Sequence, residues 1–342
     1  LHTTDTQTVA RDMPRASPPH APAGVSNLTG SQTPSTSLRL QAQGDDNALQ
    51  RIIDTDVLGG DDVSLLLLYG GHEETIDNIK RRVNLRAPRA RVTIVDIKGD
   101  PVGQDLKLRE NRVAVLKDLS DMKYTVVIAA HPCTTYGHCI GVQMRGKSKD
   151  TIWGLTGLEP SIMELVKEHN ILSTFTQRVI DFCVDKHIPW GVECSPDRSD
   201  SGTDAYWKEY AHFGCFWDHA SPQQWKKKHK AKSYLVARCH GEDPPTAQKY
   251  YQFMLSTELQ PAGDEQLDHM LCLHTWHPTE VRGRNEQGFW ISQQMEEYTP
   301  EICDKMAIVA LSTSASFKGR PTPDAPPFSD EKRGVNYPAG MS

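Results

Sequence analysis

The chain has no aromatic residue and no cysteine before Tyr69, and apolar residues make up only 37% of its 342 residues. Residues 1–44 are instead rich in Ser, Thr, Pro, Gln and Ala. A segment of this composition cannot bury enough apolar surface to offset the entropy lost on folding. We therefore expect a disordered leader over 1–44. Five prolines within the 25 residues 318–342 predict a disordered tail in the same way.

Other absences restrict the class of protein. There is no apolar run of 18 residues and no signal-peptide pattern, so we expect no membrane span and no secretion. The eight cysteines form no CxxC pair, and free thiols in an intracellular compartment are the expectation. A net charge of −6 argues against a surface that binds nucleic acid everywhere.

Short apolar runs alternate with helical patterns in the first half of the remaining chain. This alternation, with short connections, predicts a mostly parallel sheet covered by helices, which is a Rossmann-like α/β fold. The predicted strands cover 63–69, 91–96, 113–116 and 124–130, with helices over 73–83 and 104–112.

The second half continues the mixed pattern. We expect a Rossmann-like catalytic core over 45–212 and a distal part over 213–317, which completes the core and adds a small substrate-contacting region. The predicted elements are one or two amphipathic helices over 160–186, a strand over 188–193, a helix near 203–213, a strand over 233–238, and helices over 247–255 and 301–311.

Ligands of open parallel sheets bind beyond the carboxyl ends of the strands. Gly70 and Gly71 follow the first strand and would allow a cofactor close to the backbone. Asp96 ends the second strand, where it could accept hydrogen bonds from a ribose, and Asp118 could face an adenine edge. A plain turn, a helix cap and a surface acid are the respective alternatives.

The turn after the strand 124–130 carries the strongest candidate. Pro132 stops the strand, so the thiol of Cys133 is presented at the edge of the sheet. Glu193 ends a strand expected to lie nearby. A thiol and an acid that face one pocket can attack an electrophilic ring. A buried, inert cysteine is the alternative.

These pieces together resemble the DNA (cytosine-5)-methyltransferases, most closely a divergent branch carried by retroelements and viruses. The resemblance spans about residues 62–312 as short matches in the expected order. The family's loop motif usually has an acid and an aromatic before its glycines, and Asn usually follows its glutamate, where this chain has Cys194. The matching segments are 65–71, 95–96, 131–133 (HPC), 193–199 (ECSPDRS), 213–215 (FGC), the lysine-rich stretch before 233–238, 272–277 (CLHTWH) and 298–303 (YTPEIC).

The resemblance implies an enzyme with the S-adenosylmethionine-dependent methyltransferase fold that methylates DNA cytosine at C5. Its active site would hold no metal, its partner would be DNA, and in a eukaryote it would be nuclear. Cys133 would add to C6 of the base, Glu193 would contact N3, and Arg238 would replace an arginine that supports the base site. The implied cofactor residues are Tyr69, Gly70, Gly71, Asp96, Asp118 and Pro132.

Basic and metal-ligating residues form further clusters. The loop 141–149, with Arg145, Lys147 and Lys149, could close over a flipped nucleotide, and the stretch 225–232 could bind phosphate or be a solvated loop. Zinc ligands could come from Cys272, His274 and His277, together with Cys239 or His240. The spacing of these cysteines and histidines is too irregular to predict a zinc site.

Two other functions compete with the cytosine enzyme. The first is a non-catalytic nucleic-acid-binding or assembly protein of a mobile element that retains the fold, which the departures in the glycine motif favour. The second is an amino methyltransferase, because 131–136 (HPCTTY) distantly resembles a polar-Pro-Pro-aromatic loop. Cys133 at the second proline position argues against this last reading.

Overall fold

A computed structural model describes residues 63–71, 78–137, 142–242, 244–278 and 297–314. The leader expected over 1–44 and the tail expected over 318–342 lie outside these ranges. Among the residues described, none of the helices combines the length and the apolar character that a membrane span requires.

A six-stranded sheet with the order β2-β1-β3-β4-β6-β5 organises the chain. The first four strands are mutually parallel, whereas β6 runs antiparallel to both of its neighbours. This mixed α/β architecture is compatible with the predicted Rossmann-like fold. The strands are β1 (Ser64–Leu68), β2 (Arg91–Val95), β3 (Val126–Ala130), β4 (Trp190–Cys194), β5 (Lys232–Ala237) and β6 (Tyr250–Leu255).

The central strand β1 explains why the sheet is covered on both faces. All five of its residues are buried. Because side chains alternate along a strand, Leu65 and Leu67 pack into one apolar cluster, while Leu66 and Leu68 pack into another on the opposite face. A continuous apolar run is the sequence that such a doubly covered strand requires.

Six α-helices lie in the part of the chain that the structure describes, and they supply the two apolar layers. The first and last pack together on one face of the sheet, where Arg86 and Asp304 also form an ion pair at 2.7 Å. The second and third contribute to the other face. The helices are α1 (Ile79–Arg86), α2 (Arg109–Ser120), α3 (Pro160–Lys186), α4 (Ala220–Lys228), α5 (Gln260–Gln266) and α6 (Pro300–Leu311).

Three sequence predictions were wrong. The expected strand 113–116 lies within α2, where Val115, Leu116 and Leu119 form the buried stripe of a helix. The expected helix 247–255 contains β6, which is rich in aromatic residues and paired on both sides. The segment 203–213 holds only the 3-10 turn Lys208–Tyr210.

The other elements are confirmed with shifted ends, except that the predicted helix 104–112 is helical only from Arg109 onward, as the start of α2. The region 160–186 is one helix of 27 residues, and Pro300 lies in the first turn of α6. Residues 73–77, the first five of the predicted helix 73–83, lie outside the described residues. The described helix begins at Ile79, because the side chain of Asn78 caps it by accepting the N–H of Arg81 at 2.8 Å.

Candidate active site

The register of the sheet brings four strand ends to one edge. Leu68 of β1 is level with Val95 of β2 and with Ala129 of β3, and Ala130 is level with Glu193 of β4. The chain reaches β2 on one side of β1 and then returns to β3 on the other side. The gap beyond β1 and β3 is therefore the topological switch point, where open α/β sheets bind ligands.

A cavity of about 400 Å³ lies at this edge. Its volume falls in the usual range of small-molecule sites. One end is lined by the residues after β1 and β2, and the other by the residues after β3 and β4, together with the start of β6. The lining includes Tyr69, Gly70, Gly71, Asp96, Ile97, Pro132, Cys133, His169, Glu193, Lys249, Tyr250 and Tyr298.

The turn after β1 needs its glycine. Gly71 has a φ of 81°, which L side chains rarely adopt, and among the described residues no atom lies within 4 Å of where its Cβ would be. Tyr69 also has a positive φ, of 58°. Its ring packs edge-on against His131, with the ring centroids 5.9 Å apart, and burial raises the pKa of its phenol. Tyr69 therefore forms part of the cavity wall, while the backbone of Gly71 is accessible from the cavity.

Asp96 connects the turns after β1 and β2. One carboxylate oxygen accepts the N–H of Gly71 at 2.9 Å, and the other accepts the N–H of Lys98 at 2.8 Å. A carboxylate has about four acceptor positions, so each oxygen can still accept a ligand hydroxyl. Ile97, the next residue, is 44% exposed and lines the same part of the cavity. An acid followed by an exposed apolar side chain can bind a sugar hydroxyl and an aromatic ring.

A polar stripe on α3 holds the His131 turn in place. Ser173 and Thr176 are buried on one face of the helix, and their hydroxyls lie 3.0 Å from Nε2 and Nδ1 of His131, respectively. Ser173 also contacts the hydroxyl of Tyr136, which in turn lies 2.7 Å from Nε2 of His219. Burial lowers the pKa of His131 well below its usual value, and that of His219 to about 3, so both rings are neutral at pH 7.

Cys133 begins a tight turn directly after Pro132. Its carbonyl oxygen accepts the N–H groups of Tyr136 and Gly137 at 2.9 and 2.8 Å. The residue is partly exposed and lines the cavity, in contrast to the fully buried Cys183 and Cys194. Its place in the fold thus differs from that of an inert core cysteine.

Glu193 faces the same cavity from β4. Its carboxyl group is buried, and Oε2 accepts a hydrogen bond of 2.8 Å from the hydroxyl of Tyr298. Burial raises the pKa of Glu193 to about 7, against smaller lowering effects of Tyr298 and Lys249. A large fraction of the carboxyl groups is therefore protonated at neutral pH and can donate a proton or a hydrogen bond.

The sequence predictions missed several residues of the cavity. Lys249 and Tyr298 arrive from the distal part of the chain, and His169 belongs to α3. Burial lowers the pKa of His169 to about 4, and its Nδ1 has no hydrogen-bond partner among the described residues. The matching segment 298–303 was the one available signal for Tyr298, whereas Lys249 and His169 carry no local pattern.

Two predicted site residues are not brought to the cavity. Asp118 lies on α2, and its carboxylate is bound by Lys123 at 2.6 Å. Arg238 follows β5 and donates to Glu242 and Thr246 at 3.2 and 2.7 Å. Neither residue lines the cavity. Neither of them is therefore part of the candidate site.

The predicted role of Arg145 in the basic loop 141–149 is contradicted by its contacts. Its guanidinium is buried and donates to Thr135 Oγ1, the Ile152 carbonyl and Asn170 Oδ1 at 2.7–3.1 Å, so it cannot reach a phosphate. Lys147 contacts Asp197 at 3.2 Å. The first residue of the predicted loop 141–149, Gly141, lies outside the described residues.

The stretch 225–232 lies away from the cavity. Trp225 is buried, and Lys232 begins β5 level with Leu255, the last residue of the antiparallel β6. The amino end of β5 is at the sheet edge opposite the carboxyl ends of β1–β4. Any phosphate bound by these lysines would be remote from Cys133.

Comparison with known proteins does not identify a family for this chain. No protein-family model matches the chain, and no curated protein matches it. The geometry of the site therefore carries the functional argument alone.

Proposed function

We propose that this protein is an S-adenosylmethionine-dependent methyltransferase that acts on C5 of DNA cytosine through an adduct with Cys133. The observation that carries the proposal is the convergence of Cys133 and Glu193, from adjacent parallel strands, on one cavity. The opposite end of that cavity has the features expected of a cofactor site.

The cofactor end is formed by Gly70, Gly71, Asp96 and Ile97. The open backbone at Gly71 fits a ligand that approaches closely, and Asp96 can accept the ribose hydroxyls of S-adenosylmethionine. The exposed side chain of Ile97 suits one face of the adenine. When bound, this cofactor supplies an electrophilic methyl group.

The base end supplies a nucleophile and an acid. The Cys133 thiolate forms a bond to C6 of the pyrimidine, and the electron pair of the C5–C6 double bond becomes available at C5 for the methyl group. The protonated Glu193 donates to N3, which stabilises the charge that the ring acquires. Loss of the C5 proton to a base then restores the double bond and releases the Cys133 thiolate.

Such chemistry requires a base outside the duplex stack, because C6 is not accessible within it. The cavity has lysines at its rim, which are Lys98, Lys107 and Lys249. Of these, Lys249 lies near Glu193 and suits a phosphate next to an extruded nucleotide.

Trapping with 5-fluorocytosine tests the proposal. The C5 proton cannot be lost from this analogue, so an oligonucleotide that contains it should form a stable covalent complex only when S-adenosylmethionine is present. Cys133→Ala should abolish the complex, whereas Cys183→Ala, which changes a buried thiol on α3, should retain it. Denaturing gel electrophoresis and peptide mass mapping provide the readout.

The same variants separate the amino methyltransferase reading. Cys133→Ser would remain active if the acceptor were an exocyclic amine, because that transfer needs no thiol adduct. Methyl transfer by Cys133→Ser at the wild-type rate, or a covalent complex that forms without the cofactor, would contradict the cytosine mechanism.

A non-catalytic nucleic-acid-binding protein is the second candidate. It is favoured by the sequence of the turn after β1, which has no acid before Gly70 and Gly71, where the family's motif usually has one. Titration calorimetry discriminates between the two. Absence of binding at high S-adenosylmethionine concentration, together with retained binding of oligonucleotides, would favour this candidate over the enzyme.

A further inference from the structure

A cluster of two cysteines and two histidines lies beside the candidate active site. The nearest ligand atoms of its members all lie within 4.8 Å of one another. Cys239 follows β5 and is buried, while the other three lie in an irregular segment and are partly buried. We propose that one structural zinc ion is bound by these four side chains, which are Cys239, Cys272, His274 and His277.

The distances fit one tetrahedral ion. Zinc–sulfur bonds of about 2.3 Å and zinc–nitrogen bonds of about 2.0–2.1 Å place a sulfur and a nitrogen ligand about 3.6 Å apart. Nε2 of His277 lies 3.2 Å from the sulfur of Cys239 and 3.4 Å from that of Cys272, and Nδ1 of His274 lies 3.8 Å from the Cys272 sulfur. Small shifts of side chains are enough to reach ideal values.

The orientation of His274 points to a metal. Its Nε2 lies 2.8 Å from the carbonyl oxygen of Glu242, an acceptor, so Nε2 must carry the proton. Nδ1 is then unprotonated, and its lone pair faces the cluster. Ligand histidines in metal sites are typically fixed in this way by a backbone carbonyl on the second nitrogen.

The segment 271–277 has little apolar packing of its own to hold it. It contains no helix or strand, and two of its three large apolar side chains face solvent, with Leu273 83% and Trp276 65% exposed. The side chains of Cys272, His274 and His277 instead turn toward Cys239. A bound ion would account for an ordered segment whose apolar residues point outward.

The choice between Cys239 and His240 follows from geometry. Nδ1 of His240 lies 3.0 Å from the carbonyl oxygen of Leu271, and Nε2 lies 3.9 Å from Glu301. Both nitrogens of His240 therefore face away from the cluster. Cys239 completes a site with four protein ligands and no open position, which is the arrangement of a structural rather than a catalytic zinc.

The ion would support the wall of the cavity. Tyr250 packs with Cys239 and Cys272 and also lines the cavity. The inference rests on the cluster alone and holds whether or not the protein is a methyltransferase.

Cobalt substitution tests the site. The full chain, purified without a histidine tag, is stripped of metal under reducing conditions and titrated with Co²⁺. We expect one ion per chain, with thiolate charge-transfer absorption in the near ultraviolet and the intense visible bands of tetrahedral cobalt. Stoichiometric Zn²⁺ should abolish these bands, because it displaces Co²⁺.

Matched variants locate the ligands. Cys272→Ser and His277→Asn should lose the charge-transfer bands or bind Co²⁺ at least tenfold more weakly, whereas His240→Asn and Cys183→Ala should retain the wild-type spectrum. A chelator should lower the melting temperature of the zinc-loaded wild-type chain. This last measurement and the wild-type spectrum do not depend on whether a variant folds.

Two results would overturn the inference. One is the absence of tetrahedral Co²⁺ absorption in the reduced wild-type chain, or its persistence at full strength in His277→Asn. The other is a Cys239–Cys272 disulfide, found by mass spectrometry in the chain as isolated.

Discussion

At the scale of the residue, the main chemical feature is the buried carboxyl group of Glu193. Its partner Tyr298 comes from the far end of the chain, and the hydroxyl donates to the carboxylate. A donor of this kind favours the ionised form, whereas burial opposes it. The balance leaves a group that changes its charge near neutral pH, as a general acid requires.

This balance predicts a pH-dependent stability. The unfolded chain loses the Glu193 proton near the ordinary glutamate pKa of 4.5, and the folded chain near 7. Between these values the folded state binds more protons, so this residue makes the free energy of unfolding fall as pH rises, by about 3 kcal/mol in total. Glu193→Gln removes the effect, and the variant should gain stability relative to the wild type from pH 5 to 7.

Urea denaturation of both proteins at several pH values measures that difference. The buried histidines His131, His169 and His219 act in the opposite direction, but they are present in both proteins and cancel. In Tyr298→Phe the loss of the donor should move the transition to higher pH, whereas the exposed Tyr206→Phe should leave it unchanged. A constant difference between wild type and Glu193→Gln from pH 5 to 8 would contradict the assignment.

At the scale of the element, α3 and the segment around Arg145 fix the turn that carries Cys133. Arg145 donates to Thr135, two residues after the cysteine, and to Asn170 on the helix. Its charge also lies over the ring of Tyr136, 4.2 Å from the centroid. The arginine thus holds the turn in place. Its predicted role was contact with a flipped nucleotide.

Arg145→Ala should therefore destabilise the fold. The change leaves buried acceptors on Thr135, Ile152 and Asn170 without a donor, and we expect a loss of about 3 kcal/mol in the free energy of unfolding. Arg145→Lys should be intermediate, because one ammonium group cannot reproduce the geometry of the guanidinium. Lys149→Ala, an exposed basic residue of the same loop, should change stability by less than about 0.5 kcal/mol.

Chemical denaturation distinguishes these outcomes. Equal stabilities of Arg145→Ala and Lys149→Ala would show that the buried contacts of Arg145 contribute nothing. Retained stability of Arg145→Ala with lost binding of oligonucleotides would instead restore the predicted contact with phosphate.

The elements also show which parts of the fold a sequence can predict. The strands β1, β3 and β4 were predictable because each is a short buried run that ends at a turn. The run at 113–116 had the same appearance, yet it belongs to α2, because four residues are too few to distinguish a period of 2 from one of 3.6. The segment 247–255 is the converse case, a strand that was predicted as a helix, although its aromatic residues Tyr250, Tyr251 and Phe253 favour a strand.

The residues of the candidate site also fall into those that a sequence can predict and those that it cannot. Asp96, Cys133 and Glu193 were predictable because one topological rule brings strand ends together. Lys249 and Tyr298 depend on how distant segments return to the sheet, which no local pattern encodes.

At the scale of the whole molecule, the distal residues are part of the sheet. β6 pairs with β4 through Gly191–Cys194, and α6 packs against α1. Gly214 approaches the backbone of Gly146 so closely that a Cβ would lie 2.2 Å from its carbonyl oxygen. The two halves therefore share one core.

A chain truncated after His212 should not fold. It would expose the edge of β4 and the apolar surface that α6 covers on α1, and open edges of this kind aggregate. Size-exclusion chromatography and amide NMR dispersion should show aggregated or unfolded material, whereas residues 51–317 should give a folded monomer or defined oligomer. A dispersed spectrum of the truncated chain would show that the first part folds independently.

The reversed direction of β6 has one more consequence. In a purely parallel sheet, every strand leaves the core at the ligand-binding edge, so ligand contacts come from residues that follow strands. Because β6 runs the other way, Lys249 and Tyr250 reach this edge as the chain enters the sheet. The part of the connection between Glu242 and Lys249 can therefore change in length or sequence and reshape this wall of the cavity, while Cys239 and the hydrogen bonds of the sheet stay in place.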